Sequence, residues 1–296
     1  MSIRQQITGT GVAIITPFDQ TESVDYEALG RVIDFIIAGG IEYIVTLGTT
    51  GETPVLSKEE KADIIRYTLE KVNRRVPVIV GIGGNNTRAV AADMQSLPLE
   101  GALAVLSASP YYNKPSQEGI YQHYAYLAKA CPKPIVLYNV PGRTGRNMTA
   151  TTTLRLAELD NIAGIKEASG DLQQCMDILK DRPPHFAVVS GDDALALPQL
   201  ACGMDGVISV AANAFPQSFS NMVRAGLKAD LVAAKTLNDS LIEMYNLMFA
   251  ENNPAGVKAY LHEMGLIENI LRLPLVPLSK PLHDQVRASL TSSAVS

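Results

Sequence analysis

The chain is poor in cysteine and histidine. Its 296 residues include three cysteines, Cys131, Cys175 and Cys202, and four histidines that lie far apart in the sequence. An odd number of cysteines without C-x-x-C spacing argues against a disulfide framework and is typical of a reducing compartment. Because no histidine or cysteine pair has the spacing of a zinc site, we also expect no metal cofactor.

The sequence also lacks an excess of positive charge and a long apolar run. It carries 25 Lys+Arg against 30 Asp+Glu, a net charge of −5, with both signs scattered along the chain. Such a distribution offers no basic stripe for phosphates or for an anionic bilayer. No segment reaches the ~18 consecutive apolar residues of a membrane helix, and the first residues lack the apolar region of a signal peptide. We therefore expect no nucleic-acid partner, no membrane segment and a cytoplasmic location.

An alternation of short apolar runs and helical stretches fills most of the chain. Eight apolar or β-branched runs occur, at Val12–Thr16, Tyr43–Leu47, Pro77–Ile82, Ala102–Leu106, Pro134–Tyr138, Ala163–Ile165, Ala187–Val189 and Gly206–Val210. Their nearly continuous apolar character is typical of parallel strands that are covered on both faces. Eight such units fill about 225 residues, which favours a (β/α)₈ TIM barrel over a doubly wound sheet of five or six strands.

Helices are predicted between and after these runs. Tyr26–Ala38 has apolar residues at helical spacing, and Ser57 followed by acidic residues reads as the N-cap of another helix. From Lys228 onward the strands cease. Leu231–Phe249 and Gly256–Met264 have helical spacing, and a proline-rich stretch precedes a last short helix near Gln285–Leu290. We predict a catalytic barrel over residues 1–226 and a helical C-terminal domain over residues 227–296.

Candidate site residues follow the predicted strands, because the active site of such a barrel is built at the C-terminal ends of its strands. The second strand ends in Gly48-Thr49-Thr50-Gly51-Glu52. Its glycines free the backbone to curl and expose amides beside two hydroxyls, which suits a small carboxylate. A tight turn capped by a threonine is the alternative. No Gly-Lys-Ser/Thr follows, so the motif is not a phosphate-binding P-loop.

A lysine and a tyrosine end two neighbouring strands. The sixth run leads directly into Lys166, and the fifth ends at Tyr138, with Arg143 shortly after it. Burial can make a lysine a nucleophile toward a ketone, a tyrosine can move protons, and an arginine fork suits a carboxylate. Taken singly, each residue has an alternative as a solvated loop lysine, a core tyrosine or a solvated arginine. Tyr111 and Tyr112 add two hydroxyls at the end of the fourth strand.

Five motifs in this order and spacing resemble the dihydrodipicolinate synthase family. They are Gly48-Thr49-Thr50-Gly51-Glu52, Pro110-Tyr111-Tyr112, Tyr138-Asn139-Val140-Pro141-Gly142-Arg143-Thr144-Gly145, Ile165-Lys166-Glu167-Ala168 and Ser190-Gly191-Asp192-Asp193. The resemblance covers essentially the whole chain. The arginine within Val140–Gly145 distinguishes the synthases from the sialic acid and 2-keto-3-deoxy sugar acid aldolases of the same superfamily. Such an aldolase is the alternative within this fold, and a non-catalytic barrel that binds a keto acid is the alternative outside enzymes.

The resemblance implies a role for each site residue. Lys166 would form a Schiff base with pyruvate, and Tyr138 would be the acid and base of that step, through a relay with Thr50 and Tyr112. Thr49 and Thr50 would hold the pyruvate carboxylate. By the same resemblance, the product lies in the diaminopimelate route to L-lysine, and no cofactor is needed.

The resemblance also implies how the second substrate binds and how the protein assembles. Arg143 would bind the carboxylate of L-aspartate 4-semialdehyde, and the backbone around Gly191 and Ile208 would line the pocket. The hydroxyl of Tyr112 would come from a neighbouring subunit. The expected assembly is a homotetramer built as a dimer of dimers.

Two departures from the family pattern lie away from these residues. The family's Asn-Pro-x-Pro-Val-Lys reads Asn-Pro-Ala-Gly-Val-Lys over residues 253–258, which we expect to affect packing or assembly more than chemistry. Many family members bind L-lysine at a subunit interface beside the active site. Here the position of an expected glutamate is Ala89, and Lys58 and Lys61 stand where histidines often occur. The resemblance therefore implies weak or absent inhibition by L-lysine.

Overall fold

A computed structural model of the protein describes residues 2–292, and its central element is a closed barrel of eight parallel strands in sequential order. The strands are β1 (Gly9–Ala13), β2 (Tyr43–Thr46), β3 (Val78–Gly81), β4 (Ala104–Ala108), β5 (Ile135–Asn139), β6 (Ile162–Glu167), β7 (Ala187–Ser190) and β8 (Gly206–Ser209). The predicted TIM barrel is confirmed.

Helices surround the barrel and continue past its last strand. They are α1 (Ile3–Gln6), α2 (Tyr26–Ala38), α3 (Lys58–Val72), α4 (Thr87–Ser96), α5 (Gln117–Ala130), α6 (Pro141–Thr144), α7 (Ala150–Ala157), α8 (Leu172–Asp181), α9 (Ala196–Ala201), α10 (Pro216–Leu227), α11 (Leu231–Phe249), α12 (Ala255–Glu263) and α13 (Lys280–Ser292). Short 3₁₀ turns cover Thr49–Gly51, Thr53–Val55 and Ala211–Asn213. Within residues 2–292, no helix is both long enough and apolar enough to cross a membrane.

Each of the eight strands differs from its predicted run at one end or both, by one to three residues, and the first and sixth strands show the reasons. The first strand begins at Gly9 and ends at Ala13, whereas the apolar run suggested Val12–Thr16. Ile14 and Ile15 are buried although they follow the strand, and the N–H of Ile14 still donates to the carbonyl of Val45 at 3.0 Å. The apolar run therefore continues past the end of the strand because these residues are buried. The sixth strand continues through Lys166 and Glu167. The apolar run stops at Ile165 because Lys166 and Glu167 are polar, although both are buried and belong to the strand.

Two apolar layers form the core. The larger lies between the strands and the surrounding helices, and the smaller fills the barrel interior with residues such as Tyr43, Val136 and Ile208. A side chain at Gly11 would place its Cβ only 2.1 Å from the Tyr43 ring. Only glycine at this position leaves room for the ring. The Tyr43 ring fills the barrel interior, and the candidate residues lie at the C-terminal ends of the strands.

The C-terminal helices pack on the barrel through the last barrel helix. α11 lies against α10, and α12 and α13 pack on α11 and on each other. At Gly256 a Cβ would lie 2.4 Å from the backbone of Met248, so the glycine lets α12 cross α11 closely. The bounds of the two domains, 1–226 and 227–296, stay a proposal.

Candidate active site

A cavity of about 970 Å³ opens at the C-terminal ends of the strands. Among the residues singled out by the sequence, it is lined by Thr49, Thr50, Tyr138, Arg143, Lys166 and Gly191. These residues come from the ends of four different strands or from the loops that follow them. The closed barrel therefore gathers groups that lie far apart in the chain, as such barrels do at this face.

Lys166 and Tyr138 form the floor of this cavity. They are direct partners in the register of β6 and β5, and alternation along each strand directs both side chains to the same face. The Lys166 ammonium lies 4.4 Å from the centre of the Tyr138 ring. Their exposed fractions are 5% and 8%. The amino group of a lysine and a phenol are thus held side by side, largely out of water.

Gly191 lies against the Lys166 side chain. Its backbone N–H donates to the carbonyl of Glu167 at 2.8 Å. A Cβ at this position would lie 2.7 Å from Cε of Lys166 and 2.8 Å from Ala168. The absence of a side chain at Gly191 therefore leaves the lysine its path into the cavity.

A buried polar network supports these two strands from the side that faces the helices. Asn139 is the register partner of Glu167, and its Nδ2 donates to both carboxylate oxygens at 2.9 and 3.2 Å. The backbone N–H of Ser169 and the amide of Gln174 donate to the same carboxylate at 2.7 and 3.1 Å. Burial raises the pKa of Glu167 and these hydrogen bonds oppose that effect. Asn139 and Glu167 directly follow Tyr138 and Lys166 in the two strands. Their hydrogen bonds therefore stabilise the register of β5 against β6 next to the Tyr138–Lys166 pair.

The segment Gly48–Glu52, here called the substrate turn, forms one wall. Its residues Thr49–Gly51 make a 3₁₀ turn, and Glu52 closes it in the left-handed region with φ of +54°. Thr16 Oγ1 donates to the carbonyl of Gly51 at 2.8 Å, and Thr53 Oγ1 donates to the carbonyl of Leu47 at 2.7 Å. The turn is therefore held on both sides by hydroxyl groups.

A buried ion pair ties the substrate turn to the C-terminal helices. Lys258 of α12 donates to Glu52, and both side chains are fully buried. The ammonium also donates to the carbonyl of Ile270 at 2.9 Å and lies 4.3 Å from the centre of the Phe18 ring. The backbone N–H of Arg272 donates to the other carboxylate oxygen at 3.1 Å. Burial lowers the pKa of Lys258, and the carboxylate of Glu52 opposes this shift.

A second contact joins the C-terminal region to the same turn. Asn253, between α11 and α12, lines the cavity and is 5% exposed. Its Nδ2 donates to Thr50 Oγ1 at 2.9 Å. We expected residues 253–258 to affect packing more than chemistry. Gly256 does serve packing, whereas Asn253 reaches the candidate site.

Arg143 lies at the exposed rim of the cavity. The residue follows β5, in the short helix α6, and its guanidinium donates to Oδ1 of Asn252 at 3.1 Å. Within residues 2–292 this is the one hydrogen bond that its guanidinium makes, and the residue lines the cavity.

Tyr112 and Ile208 are not among the residues that line the cavity in the described part of the chain. Tyr112 is 87% exposed, whereas its neighbour Tyr111 does line the cavity. Ile208 lies deeper along β8, where its side chain is buried in the barrel interior, and Val210 occupies the rim instead. The roles of both residues stay predictions.

The C-terminal helices supply cavity residues that the sequence patterns did not indicate. Besides Asn253, these are Tyr245, Asn246 and Phe249 at the end of α11 and Ala250 directly after it. No motif signals them, because an amphipathic helix has the same pattern whether it covers a core or a cavity. Across residues 2–292, no group of three or more histidine, cysteine, aspartate or glutamate side chains is arranged to hold a metal ion.

Sequence comparison identifies relatives over nearly the whole chain. A family model described as the dihydrodipicolinate synthetase family matches residues 6–293. The 4-hydroxy-tetrahydrodipicolinate synthase of Parabacteroides distasonis is 52% identical over 290 residues, which cover 98% of this chain and 98% of that protein.

Solved structures resemble the whole chain as well. The chloride-inhibited dihydrodipicolinate synthase from Acinetobacter baumannii, complexed with pyruvate, is 41% identical with a TM-score of 0.95, covering 98% of this chain and 100% of that one. A variant described as the first monomeric dihydrodipicolinate synthase is 38% identical with a TM-score of 0.96, covering 100% of this chain and 99% of that one.

Proposed function

Because the chain belongs to the dihydrodipicolinate synthetase family, we propose that Lys166 is its Schiff-base residue and Tyr138 the acid and base beside it. The protein is a lyase that condenses pyruvate with L-aspartate 4-semialdehyde, a step in the diaminopimelate route to L-lysine. The observation that carries the assignment of roles is the buried register pair Tyr138 and Lys166 on the cavity floor.

The first half of the reaction joins pyruvate to the lysine. Neutral Lys166 attacks the ketone carbon, and Tyr138 donates the proton with which the hydroxyl of the adduct leaves as water. The resulting protonated imine gives a methyl proton to the Tyr138 phenolate and becomes an enamine, which restores the phenol. Thr49 and Thr50, at the wall of the cavity, bind the pyruvate carboxylate and hold the ketone over the lysine.

The second half joins the aldehyde and releases the lysine. The enamine carbon attacks the aldehyde carbon of L-aspartate 4-semialdehyde, whose carboxylate is bound by Arg143 at the rim. The substrate's own amine then attacks the imine carbon, which closes the ring and displaces Lys166. Holding two reactants in one cavity can contribute on the order of 7 to 11 kcal/mol to such a step.

Borohydride reduction tests this function directly. Reduction in the presence of pyruvate should add the mass of reduced pyruvate to the peptide that contains Lys166. Product formation should then require L-aspartate 4-semialdehyde in preference to sugar aldehydes. Wild-type protein that forms no adduct would refute the proposal, and a preference for sugar aldehydes would indicate an aldolase instead.

Replacing Arg143 should separate the two half-reactions. We expect Arg143→Ala to raise KM for L-aspartate 4-semialdehyde about 10- to 100-fold, since a hydrogen bond to a charged group is worth roughly 1.5 to 3 kcal/mol. Adduct formation with pyruvate should change little. Arg146→Ala, at a neighbouring exposed arginine outside the cavity lining, serves as the control. Equal damage to both half-reactions would make Arg143 a structural residue.

For the assembly, we propose a homotetramer built as a dimer of dimers, located in the cytoplasm. Its support is Tyr112, whose side chain is 87% exposed in the single chain although the family resemblance makes its hydroxyl part of the relay. An exposed tyrosine can serve the site of a neighbouring subunit. The monomeric variant among the similar structures makes the assembly a matter for direct measurement.

Mixing a variant of low activity with an inactive one can detect such a shared site. Tyr112→Phe should lower kcat about 10- to 100-fold with the fold and pyruvate binding retained, because only one relay hydroxyl is lost. Mixed oligomers of Tyr112→Phe and Lys166→Ala subunits should regain activity, since some sites then combine an intact lysine with an intact tyrosine. Full wild-type activity in a monomer, shown by sedimentation, would contradict the shared site.

Inhibition by L-lysine should be weak or absent. Ala89 provides no carboxylate, and the acid of the substrate turn, Glu52, is fully buried and paired with Lys258. Loss of one charge-assisted contact lowers affinity by at least about tenfold. Steady-state rates at rising L-lysine measure the effect, and Ala89→Glu should increase sensitivity. Half-inhibition of wild type below a millimolar concentration would contradict this expectation.

A further inference from the structure

The loop that carries Arg143 is closed at its base by hydrogen bonds. Asn139, the last residue of β5, donates from Nδ2 to Oδ1 of Asn147 at 2.7 Å and accepts the backbone N–H of Met148 at 2.9 Å. Within the loop, the backbone N–H of Arg143 donates to the carbonyl of Val140 at 2.9 Å. The backbone of Arg143 is therefore held in place. Its side chain is exposed and needs a contact of its own to keep one orientation.

That contact comes from the C-terminal region. Asn252, between α11 and α12, accepts from Nη2 of Arg143 at 3.1 Å through its Oδ1. The same oxygen accepts the backbone N–H of Asn253 at 2.9 Å. A guanidinium and a backbone N–H can only donate, so the amide oxygen of Asn252 must face both of them. The chemistry of the two partners thus determines the direction of both hydrogen bonds.

The backbone around Asn252 fixes the position of this oxygen. Asn252 has a φ of +80°, in the left-handed region that asparagine adopts more often than most residues do. Directly before it, the carboxylate of Glu251 accepts the backbone N–H of Ser279 at 2.7 Å. Arg143 lines the cavity, whereas Asn252 is not among the lining residues in the described part of the chain. Any effect of Asn252 on a ligand in the cavity must therefore pass through Arg143.

Asn252 contacts the guanidinium without neutralising it. None of the ion pairs formed within residues 2–292 includes Arg143. A neutral amide oxygen occupies one of the five N–H donors of an arginine and leaves its positive charge without a counter-charge. An acid at the same position would supply that counter-charge itself.

We infer that Asn252 is a positioning residue for the second substrate, which orients the Arg143 guanidinium at the rim of the cavity and leaves its charge for the substrate carboxylate. The inference rests on the proposed binding of L-aspartate 4-semialdehyde by Arg143. Recognition of that carboxylate then depends on two regions of the chain, the loop after β5 and the connection between α11 and α12.

Asn252→Gly removes the acceptor at a backbone conformation that glycine adopts without strain. We expect KM for L-aspartate 4-semialdehyde to rise about 3- to 10-fold, the range that the net contribution of one hydrogen bond allows. Adduct formation with pyruvate, measured by rapid mixing and borohydride quench, should keep its wild-type rate because Arg143 takes no part in that step. Since Asn252 is exposed, the variant should also unfold at the wild-type temperature.

Asn252→Asp distinguishes positioning from a merely structural role. Aspartate also adopts the left-handed region, and its carboxylate accepts the same two N–H groups, so a residue needed only for the shape of the turn would tolerate it. In our scheme the introduced charge pairs with Arg143 and repels the substrate carboxylate. KM should therefore rise more than in Asn252→Gly, at least about tenfold. Asn221→Asp makes the same chemical change at an exposed position of α10 and should leave KM unchanged.

Combination with Arg143→Ala shows whether the effect passes through Arg143. In that background neither substitution of Asn252 should raise KM further, because there is no guanidinium left to orient. A wild-type KM in either variant, a KM no higher in Asn252→Asp than in Asn252→Gly, or a loss that persists beside Arg143→Ala would overturn the inference. A wild-type KM in Arg143→Ala itself would instead refute the proposed role of Arg143, and the inference with it. Absence of any pyruvate adduct in wild type would refute the proposed function.

Discussion

Lys166→Ala should abolish the borohydride-trapped pyruvate adduct. The lysine is 5% exposed, lines the cavity, and lies with its side-chain nitrogen 4.4 Å from the centre of the Tyr138 ring. No other lysine of the barrel strands reaches that floor in residues 2–292. Without its nitrogen no covalent step is available, so turnover should fall to background while pyruvate can still bind non-covalently. Mass spectrometry of the reduced protein provides the measurement.

Lys61 supplies a matched control for this loss. It is a second lysine that lines the same cavity, but from the outer helix α3. Lys61→Ala should still form the adduct at Lys166. An adduct that survives in Lys166→Ala, or that disappears in Lys61→Ala, would place the nucleophile elsewhere.

Lys258→Met should have the largest effect on stability. The substitution leaves the Glu52 carboxylate buried and without its ammonium partner. Breaking a buried ion pair by removing one partner typically costs about 3 to 5 kcal/mol of the free energy of unfolding. Because Glu52 closes the substrate turn, pyruvate binding should weaken as well. Chemical denaturation and pyruvate titration measure the two effects.

Removing both charges separates the ion pair from packing. Glu52→Gln combined with Lys258→Met should recover much of the lost free energy, since replacement of a buried pair by neutral groups is often close to neutral. Lys280→Met, which removes an exposed pair with Asp284 at 2.6 Å, should leave the free energy of unfolding nearly unchanged, because exposed ion pairs contribute little. A Lys258→Met protein as stable as wild type would show that the pair contributes little.

Local sequence patterns predicted the local structure well. The helix Tyr26–Ala38 has its predicted bounds, and Ser57 caps α3 with its hydroxyl accepting the Glu60 N–H as the N-cap pattern indicated. The eight apolar runs each correspond to a strand of the barrel. These features depend on residues close together in sequence, so a single segment contains the information. The strand ends were less accurate where polar residues such as Lys166 and Glu167 are buried within a strand.

The long-range contacts that stabilise the candidate site could not be predicted from local sequence patterns. Lys258 and Glu52 are 206 residues apart, and Asn253 and Thr50 are 203 apart. Each pair meets only because the barrel closes and the C-terminal helices dock on it. The sequence does not show whether a given lysine is buried or exposed. Helical spacing also does not show which face of α12 contacts the barrel. The residues at the predicted strand ends could therefore indicate Lys166 and Tyr138. They could not indicate Asn253 and Lys258, which contact the substrate turn from the C-terminal region.

The contacts from Asn253, Lys258 and Arg272 to the substrate turn have a consequence for the order of synthesis. All three residues follow the last strand of the barrel, which ends at Ser209, and chains emerge from the ribosome N-terminus first. A nascent chain therefore exposes all eight strands before these three side chains are available. During that interval Glu52 lacks its ammonium partner and Thr50 lacks its amide donor. We therefore expect the candidate site to be complete only once the last helices have docked.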